Sequence, residues 1–596
     1  MKANELSLLK VFSTHTVYEI PYYQRAYVWK EENWKRFLED MEGVSSIGKS
    51  YFIGSLILKQ RPTPSGSDYN DVRIVIDGQQ RLTTITIFFK VLSLKRNRPQ
   101  IFNDFLFTIS DDSDEKEISI HHNHIDKADF NKIVNLTSLE NLCVDANGKE
   151  IEAKSKIIGL YNYFYKNLDP DKISSDKIKN NLRFVVIDLD PDENEQQIFD
   201  TINSLGVRLT TSELLKNYLF DEHNEDKFNK YWKPVFEQDD EQSRYWDKTV
   251  YSGTKKYILI DQFLYALLMI MVRGKDYVVS TEDKLSFEKI DDLFISYKSF
   301  VKKYMGGDKE ALMKEIKEAA LIFQESFKPE CGKETLTSEP GFERVNYMMF
   351  ALDFTVMLPY ILYVKMYAAP MEQTKIFDYI ETFMMRRSIA RLETRGYNGL
   401  FSDSLISNRI LTADALKAYV DKDKDTTYKA AKQEDIKYGV KHYEYINRQA
   451  LGFLYMLESR LRSDKLSGTQ LLGIKNYSLE HLLPKKWRQY WPIPNDEEVA
   501  KQTDDALYTF GNLAIIPGAL NTSISNSPWA TKLEGKGKKS GLKENATGLI
   551  TLNEYLSLPD WNLETIKARA NKLYHQIMQI WPEPWDVEEG DIWQEV

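Results

Sequence analysis

Cysteine is nearly absent: Cys143 and Cys331 are the only two in 596 residues. That is too few for a disulfide framework or a thiolate zinc site, and free thiols beside 15 methionines suit a reducing interior, so the cytoplasm is the expected compartment. The start, Met1-Lys2-Ala3-Asn4-Glu5, has no apolar core behind a basic leader, so export by that route is not expected. Long apolar runs are missing too. The longest, Phe263 to Val272, is half of the roughly 20 residues that a membrane-spanning helix needs. The richer stretch from Tyr347 to Ala369 is interrupted by Asp353, Pro359 and Lys365. Both read as buried helices, and no membrane partner is expected. Positive charge is not in excess either. The net charge of −10 excludes a wholly basic nucleic-acid coat but leaves room for a local basic groove. No repeat of solenoid period is visible.

What is present suffices for large cores: 42% hydrophobic and 13% aromatic residues against 28% charged. At roughly 150 residues per domain the length corresponds to about four domain equivalents. The expected fold class is α+β and multidomain. Residues 1–220 mix β-type runs, Tyr51 to Leu58 and Val72 to Ile76, with helical ones; Arg61 to Asp68, with two prolines, reads as a surface loop of a hairpin. The acid-rich run Ser110 to Glu117 reads as solvated surface. From Glu195 to Phe220 the pattern is helix, turn at Gly206, helix, with Thr210 and Glu213 as a capping box. Residues 221–430 read as a mainly helical middle domain, and 431–596 as a carboxy-terminal block of different character.

That block carries one ordered constellation. Tyr477-Ser478-Leu479-Glu480-His481 is a β-type run ending in an acid and a histidine, Gly511-Asn512 precedes the second apolar run Leu513 to Pro517, and Asn521 and Asn526 follow where a helix could begin. This is the order of a ββα-metal site, in which a base activates water and a divalent cation holds the scissile phosphate. The blander account has His481 packing at a strand end and the asparagines capping turns. Basic residues cluster nearby: Lys485 and Lys486 after the histidine, then Lys532, Lys536, Lys538, Lys539 and Lys543 against the single acid Glu534. They suit phosphate contacts to DNA, with Lys532 the strongest candidate, or form a solubilising loop. Gly535 to Ser540 lacks the spacing of a phosphate-binding loop.

A second constellation is amino-terminal: Ile20-Pro21-Tyr22-Tyr23-Gln24-Arg25, then Ile53-Gly54-Ser55, then Ile76-Asp77-Gly78-Gln79-Gln80-Arg81. An Asp-Gly turn leading into Gln, Gln and Arg at a helix start offers backbone N–H groups, amides and a guanidinium to a phosphate. Thr83 to Ile87 leaves helix and strand open, being wholly β-branched. A buried polar network organising the turn is the competing account.

Together these motifs resemble the GmrSD-type, modification-dependent (type IV) restriction endonucleases. The amino-terminal motifs, with Phe199, Asn203, Gly206, Leu209, Lys216, Asn217 and Leu219, resemble one domain of that family, and the histidine block through Trp561, Ile566, Arg569 and Trp581 its nuclease partner. The resemblance implies a ParB/sulfiredoxin-like domain that binds and hydrolyses a nucleoside triphosphate, fused to a nuclease of His-Asn-His type that cuts modified phage DNA. It implies catalytic roles for His481 as general base, Asn512 as orienting residue, and Asp77 and Arg81 in the amino-terminal site. Glu480 and Asn521 or Asn526 would be ligands of Mg or Mn, the third family position being Asn521 rather than His. Tyr23, Gln24, Arg25, Gly78, Gln79 and Gln80 would bind the triphosphate. Phosphorothioate-sensing antiphage nucleases carry similar motifs, so the recognised modification stays open. A homo-oligomer and a non-catalytic nucleotide-sensing regulator stay open as well. His121, His122 and His124 are expected in a polar loop rather than a zinc site, and Arg386 and Arg387 to touch either phosphate or an ion-pair partner.

Overall fold

The computed structural model describes residues 2–12, 16–61, 71–109, 116–145, 147–190, 210–221, 223–253, 255–274, 277–421, 428–462, 470–489, 491–524, 526–537 and 539–583. The chain is mixed α+β and divides into two compact units, residues 1–230 and 231–596.

The first unit is built on a six-stranded sheet. Its strands are β1 (Lys2–Ser7), β2 (Thr16–Glu19), β3 (Tyr51–Gln60), β4 (Asp71–Asp77), β5 (Ile120–His121) and β6 (Leu182–Leu189), in the order β1-β6-β3-β4-β2-β5. The two predicted β-runs lie in β3 and β4, antiparallel neighbours that pair Gln60 with Arg73. Their connection, Pro62 to Asp68, lies outside the described residues, as do Ser110 to Glu115 of the acidic run and Ile198 to Leu209 of the helix-turn-helix. Helices α1 (Glu31–Ile47), α2 (Gln79–Lys95) and α3 (Lys156–Asn167) carry much of the apolar core, and α4 (Thr211–Leu219) starts at the Thr210–Glu213 capping box.

The β-branched run that left helix and strand open is helical, because α2 is buried on nearly every face and its hydroxyls are satisfied within it. Thr83, Thr84 and Thr86 donate to the carbonyls of Gln79, Gln80 and Leu82 at 2.7–2.8 Å.

In the second unit, the run from Phe263 to Val272 forms most of α5 (Leu259–Arg273) and is buried. Among the described residues no helix is long and apolar enough to cross a membrane. Helices α6 (Phe342–Ala351), α7 (Pro370–Ile389) and α8 (Asn447–Leu461) are joined by a buried network. Arg344 makes a two-pronged pair with Glu381 at 2.7 and 2.8 Å and also reaches Ser459 Oγ and Met456 O, while Trp581 donates to Glu381. Arg386 donates to Ala431 O and Trp581 O. Both Arg386 and Arg387 are buried: Arg386 pairs with Glu583, and Arg387 donates to Tyr397 Oη and to the carbonyls of Lys429 and Glu393. These bonds lie within the second compact unit, which holds both the helical stretch and the carboxy-terminal block.

A hairpin of β7 (Tyr477–His481) and β8 (Leu513–Pro517) then leads into the short helix α9 (Gly518–Ile524), followed by α10 (Trp529–Glu534) and the long α11 (Leu563–Ile580). Replacing Arg344 by alanine leaves the buried Glu381 without its ionic partner. It is expected to destabilise this unit by about 3–5 kcal/mol in urea unfolding; a loss below about 1 kcal/mol would mean that the pair is not structural.

Candidate functional site

The hairpin sets Glu480 opposite Ala514 and His481 opposite Leu513. Asn512, one residue before β8, is fully buried and commits its amide to neighbours. Its Oδ1 accepts from Leu483 N at 2.7 Å and Trp561 Nε1 at 3.0 Å, and its Nδ2 donates to Leu483 O and Leu507 O, both at 2.9 Å. It ties the chain leaving His481 to the turn entering β8. Gly511 beside it must be glycine: a Cβ there would stand 2.3 Å from Ile566 O of α11.

His481 is buried, and its Nε2 has no hydrogen-bond partner among the described residues. The ring meets Tyr508 edge-on at 5.5 Å between centroids, and Lys485 Nζ lies 5.3 Å from the Tyr508 centroid. Burial first, then the positive charges of Lys485 and Lys532, push the imidazole down to about 4. It is therefore neutral near pH 7, the form that can accept a proton.

Glu480 is also buried, and its Oε1 is in contact with the ammonium of Lys532, which donates to His481 O at 2.8 Å as well. Burial pulls the carboxyl up and the ammonium down, each against the attraction of the other. Lys532 is thus not one of the surface lysines that could meet DNA: α10 turns it inward, where an unpaired carboxylate would otherwise be stranded. Asn521 on α9 donates from Nδ2 to Leu479 O at 3.1 Å, and Asn526 stands half-buried in the turn after α9.

The hairpin and its helices gather Glu480, His481, Asn512 and Asn521, but the expected oxygen set does not fit a divalent cation as it stands, because Glu480 is already neutralised by Lys532. Among the described residues no group of three or more His, Cys, Asp or Glu is placed to hold a metal ion. Lys485, Lys486, Lys536 and Lys539 are exposed, the last two facing each other across a two-residue hairpin. Lys538 lies outside the described residues.

In the first unit β4 ends at Asp77, and Gly78 opens α2 with φ of 111°. That φ favours glycine, and a Cβ at Gly78 would also come within 2.6 Å of Leu56 Cδ1, which would have to shift. Arg81 Nη2 donates to Ser55 O at 2.6 Å and Asp77 Oδ2 at 2.7 Å, while its Nε is buried with no partner. Gly54 lets the guanidinium lie against β3: a Cβ there would be 3.2 Å from Arg81 Nη1. Helix start, carboxylate and guanidinium thus meet at one strand end.

The glutamines clamp the segment from Tyr23 to Trp29. Gln24 Nε2 donates to Val75 O and Ile76 O, Gln79 Nε2 to Arg25 O, and Gln80 uses both ends of its amide, accepting from Val28 N and donating to Ala26 O. Tyr23 is buried, and Arg25 stands 3.6 Å from Glu213.

Sequence reasoning missed the other side of this clamp. His121 ends β5 and a polar loop follows, as expected, but His122, Asn123 and Asp126 in it are buried. Asn123 donates to Arg25 O, Asp126 accepts from Tyr27 N at 2.6 Å, and His122 Nε2 meets Thr83 Oγ1 at 2.8 Å. The available signal was the need of an irregular, aromatic-rich segment for main-chain partners. A cavity of about 620 Å³ beside Tyr22 and Tyr23 is lined also by Arg61, His121 and Lys127; neither Asp77 nor Arg81 lines it. NMR titration of the eight histidines should find His481 neutral until the pH falls to about 4, and a midpoint near 6.5 would contradict its burial.

Residues 8–220 match the family described as GmrSD restriction endonuclease, N-terminal domain, and residues 425–576 that described as GmrSD restriction endonucleases, C-terminal domain. No curated protein matches the chain. With both domains present in order and together spanning more than half its length, the chain belongs to the GmrSD restriction endonuclease family.

Proposed function

We propose that the chain is a nucleoside-triphosphate-regulated, modification-dependent DNA endonuclease of antiphage defence, cutting with its carboxy-terminal unit. The observation that carries the cutting step is His481 Nε2: buried, without a partner, on a neutral imidazole at the end of a hairpin that Asn512 fixes. Such a nitrogen can take the proton of a water attacking a phosphodiester. The exposed lysines 485, 486, 536 and 539 would meet the DNA backbone, a sequence-independent and salt-sensitive contact. Reliance on Mg or Mn belongs to the same proposal, with Glu480 as now paired not among the ligands.

For the amino-terminal unit the triphosphate reading rests on the Asp77–Arg81 junction. A buried Arg81 Nε without an acceptor, at the start of a 17-residue helix, is what a phosphate oxygen would complete. Asp77 would hold the guanidinium in place for it. Gln24, Gln79 and Gln80 would act indirectly, by holding the Tyr23–Arg25 segment.

The test is to incubate the purified chain with unmodified, glucosylated and phosphorothioate-bearing DNA, with a divalent ion, with and without each triphosphate. Cutting restricted to one modified DNA and changed by a triphosphate is expected; no cutting under any condition would sink the proposal. His481→Ala should lower cutting about 10²–10⁴-fold and leave triphosphate turnover intact. Arg81→Ala should abolish triphosphate turnover in a protein that still folds, and turnover at the wild-type rate would remove Arg81 from the site.

A further inference from the structure

Lys532 and Glu480 form a buried ion pair inside the candidate nuclease site, with side chains 0% and 7% exposed. The ammonium has two partners, the Glu480 carboxylate and the carbonyl of His481, so it grips the strand end on both sides of the histidine's Cα. It does not swing on a loose loop. The helix that carries it, α10, is anchored by Trp529, whose indole donates to Leu558 O at 2.9 Å and packs on Trp561 at 5.2 Å between centroids, and by buried Leu533. Trp561 is the indole that donates to Asn512. One contiguous set of contacts therefore places the lysine, the asparagine and the histidine relative to each other.

A divalent cation on Glu480 would have to share a buried carboxylate with a fixed ammonium, like charges meeting where water cannot screen them. We propose that Lys532 is a positioning residue of the nuclease site, the resident cation that holds Glu480 and the His481 main chain and thereby takes Glu480 out of the groups that can bind a divalent metal. This rests on the reading of His481 as the nuclease centre. It assigns Glu480 to the support of the histidine, with any metal held without that carboxylate.

The test uses full-length protein without DNA and Mn²⁺ alone as the probe, its binding followed by electron paramagnetic resonance. Glu480→Gln should leave Mn²⁺ binding within twofold of wild type, including the case in which neither binds measurably. Lys532→Met frees the carboxylate and should tighten Mn²⁺ binding at least tenfold, and Glu480→Gln/Lys532→Met should bring it back to the wild-type level. A tenfold or greater weakening in Glu480→Gln alone would overturn the proposal, as would a folded Lys532→Met that binds Mn²⁺ no more tightly. If Lys532→Met does not fold, the Glu480→Gln comparison decides by itself. Loss of the nuclease reading is seen separately, as a fully active His481→Ala enzyme.

Discussion

Three carbonyls of one turn converge on a single guanidinium. Arg569 on α11 donates to Phe510 O, Gly511 O and Leu513 O at 2.8–2.9 Å, and to Thr551 O at 3.1 Å, while wholly buried. A buried charge requires compensation. Here main-chain dipoles contribute to it, although burial still pulls the guanidinium down to about 10. The carbonyls are thereby fixed in direction, which fixes the turn, the register of β7 on β8, and with it the position of His481. Gly511 allows the turn to approach α11 this closely, and Asn512 passes the constraint to Leu483, two residues beyond the histidine.

The same economy recurs in the first unit, where an irregular aromatic segment, Tyr22 to Trp29, is held by side-chain amides and carboxylates rather than by a strand partner. Gln24, Gln79, Gln80, Asn123 and Asp126 all bond to main-chain groups in or beside it. What such a clamp secures is the edge of the Asp77–Gly78–Arg81 junction, where a helix start, a carboxylate and a guanidinium whose Nε has no partner among the described residues meet.

These features were unequally legible in the sequence. Glu480, His481, Asn512 and Asn521 could be read because they lie in or next to two strands and a helix whose order is local, and β3 and β4 because their apolar runs end in turn residues. Lys532 reads in the sequence as the strongest phosphate candidate of one lysine-rich run, and only the inward face of a two-turn helix shows that it pairs with Glu480 while Lys536 and Lys539 stay exposed. Arg569 stood out as family-like, yet its partners are 18 to 59 residues away and are carbonyls, which every residue has. The glutamines looked like ligand groups because a clamp and a binding site draw on the same amides. Thr83 to Ile87 leaves the choice open for a general reason: β-branching disfavours a helix in isolation, whereas full burial with hydroxyls bonded to the preceding turn overrides it.

The central claim is that the buried network around Asn512 sets the histidine for chemistry without itself touching the substrate. The most direct measurement is on Asn512→Asp, which keeps the shape but replaces the amide donor to Leu483 O and Leu507 O with an oxygen. Hydrogen exchange across residues 481–487 and DNA cutting should be followed together. The expected result is faster exchange confined to that segment and the turn at 507–513, with a matching loss of cutting while the rest of the unit keeps its protection. Wild-type cutting alongside the accelerated exchange would contradict the claim.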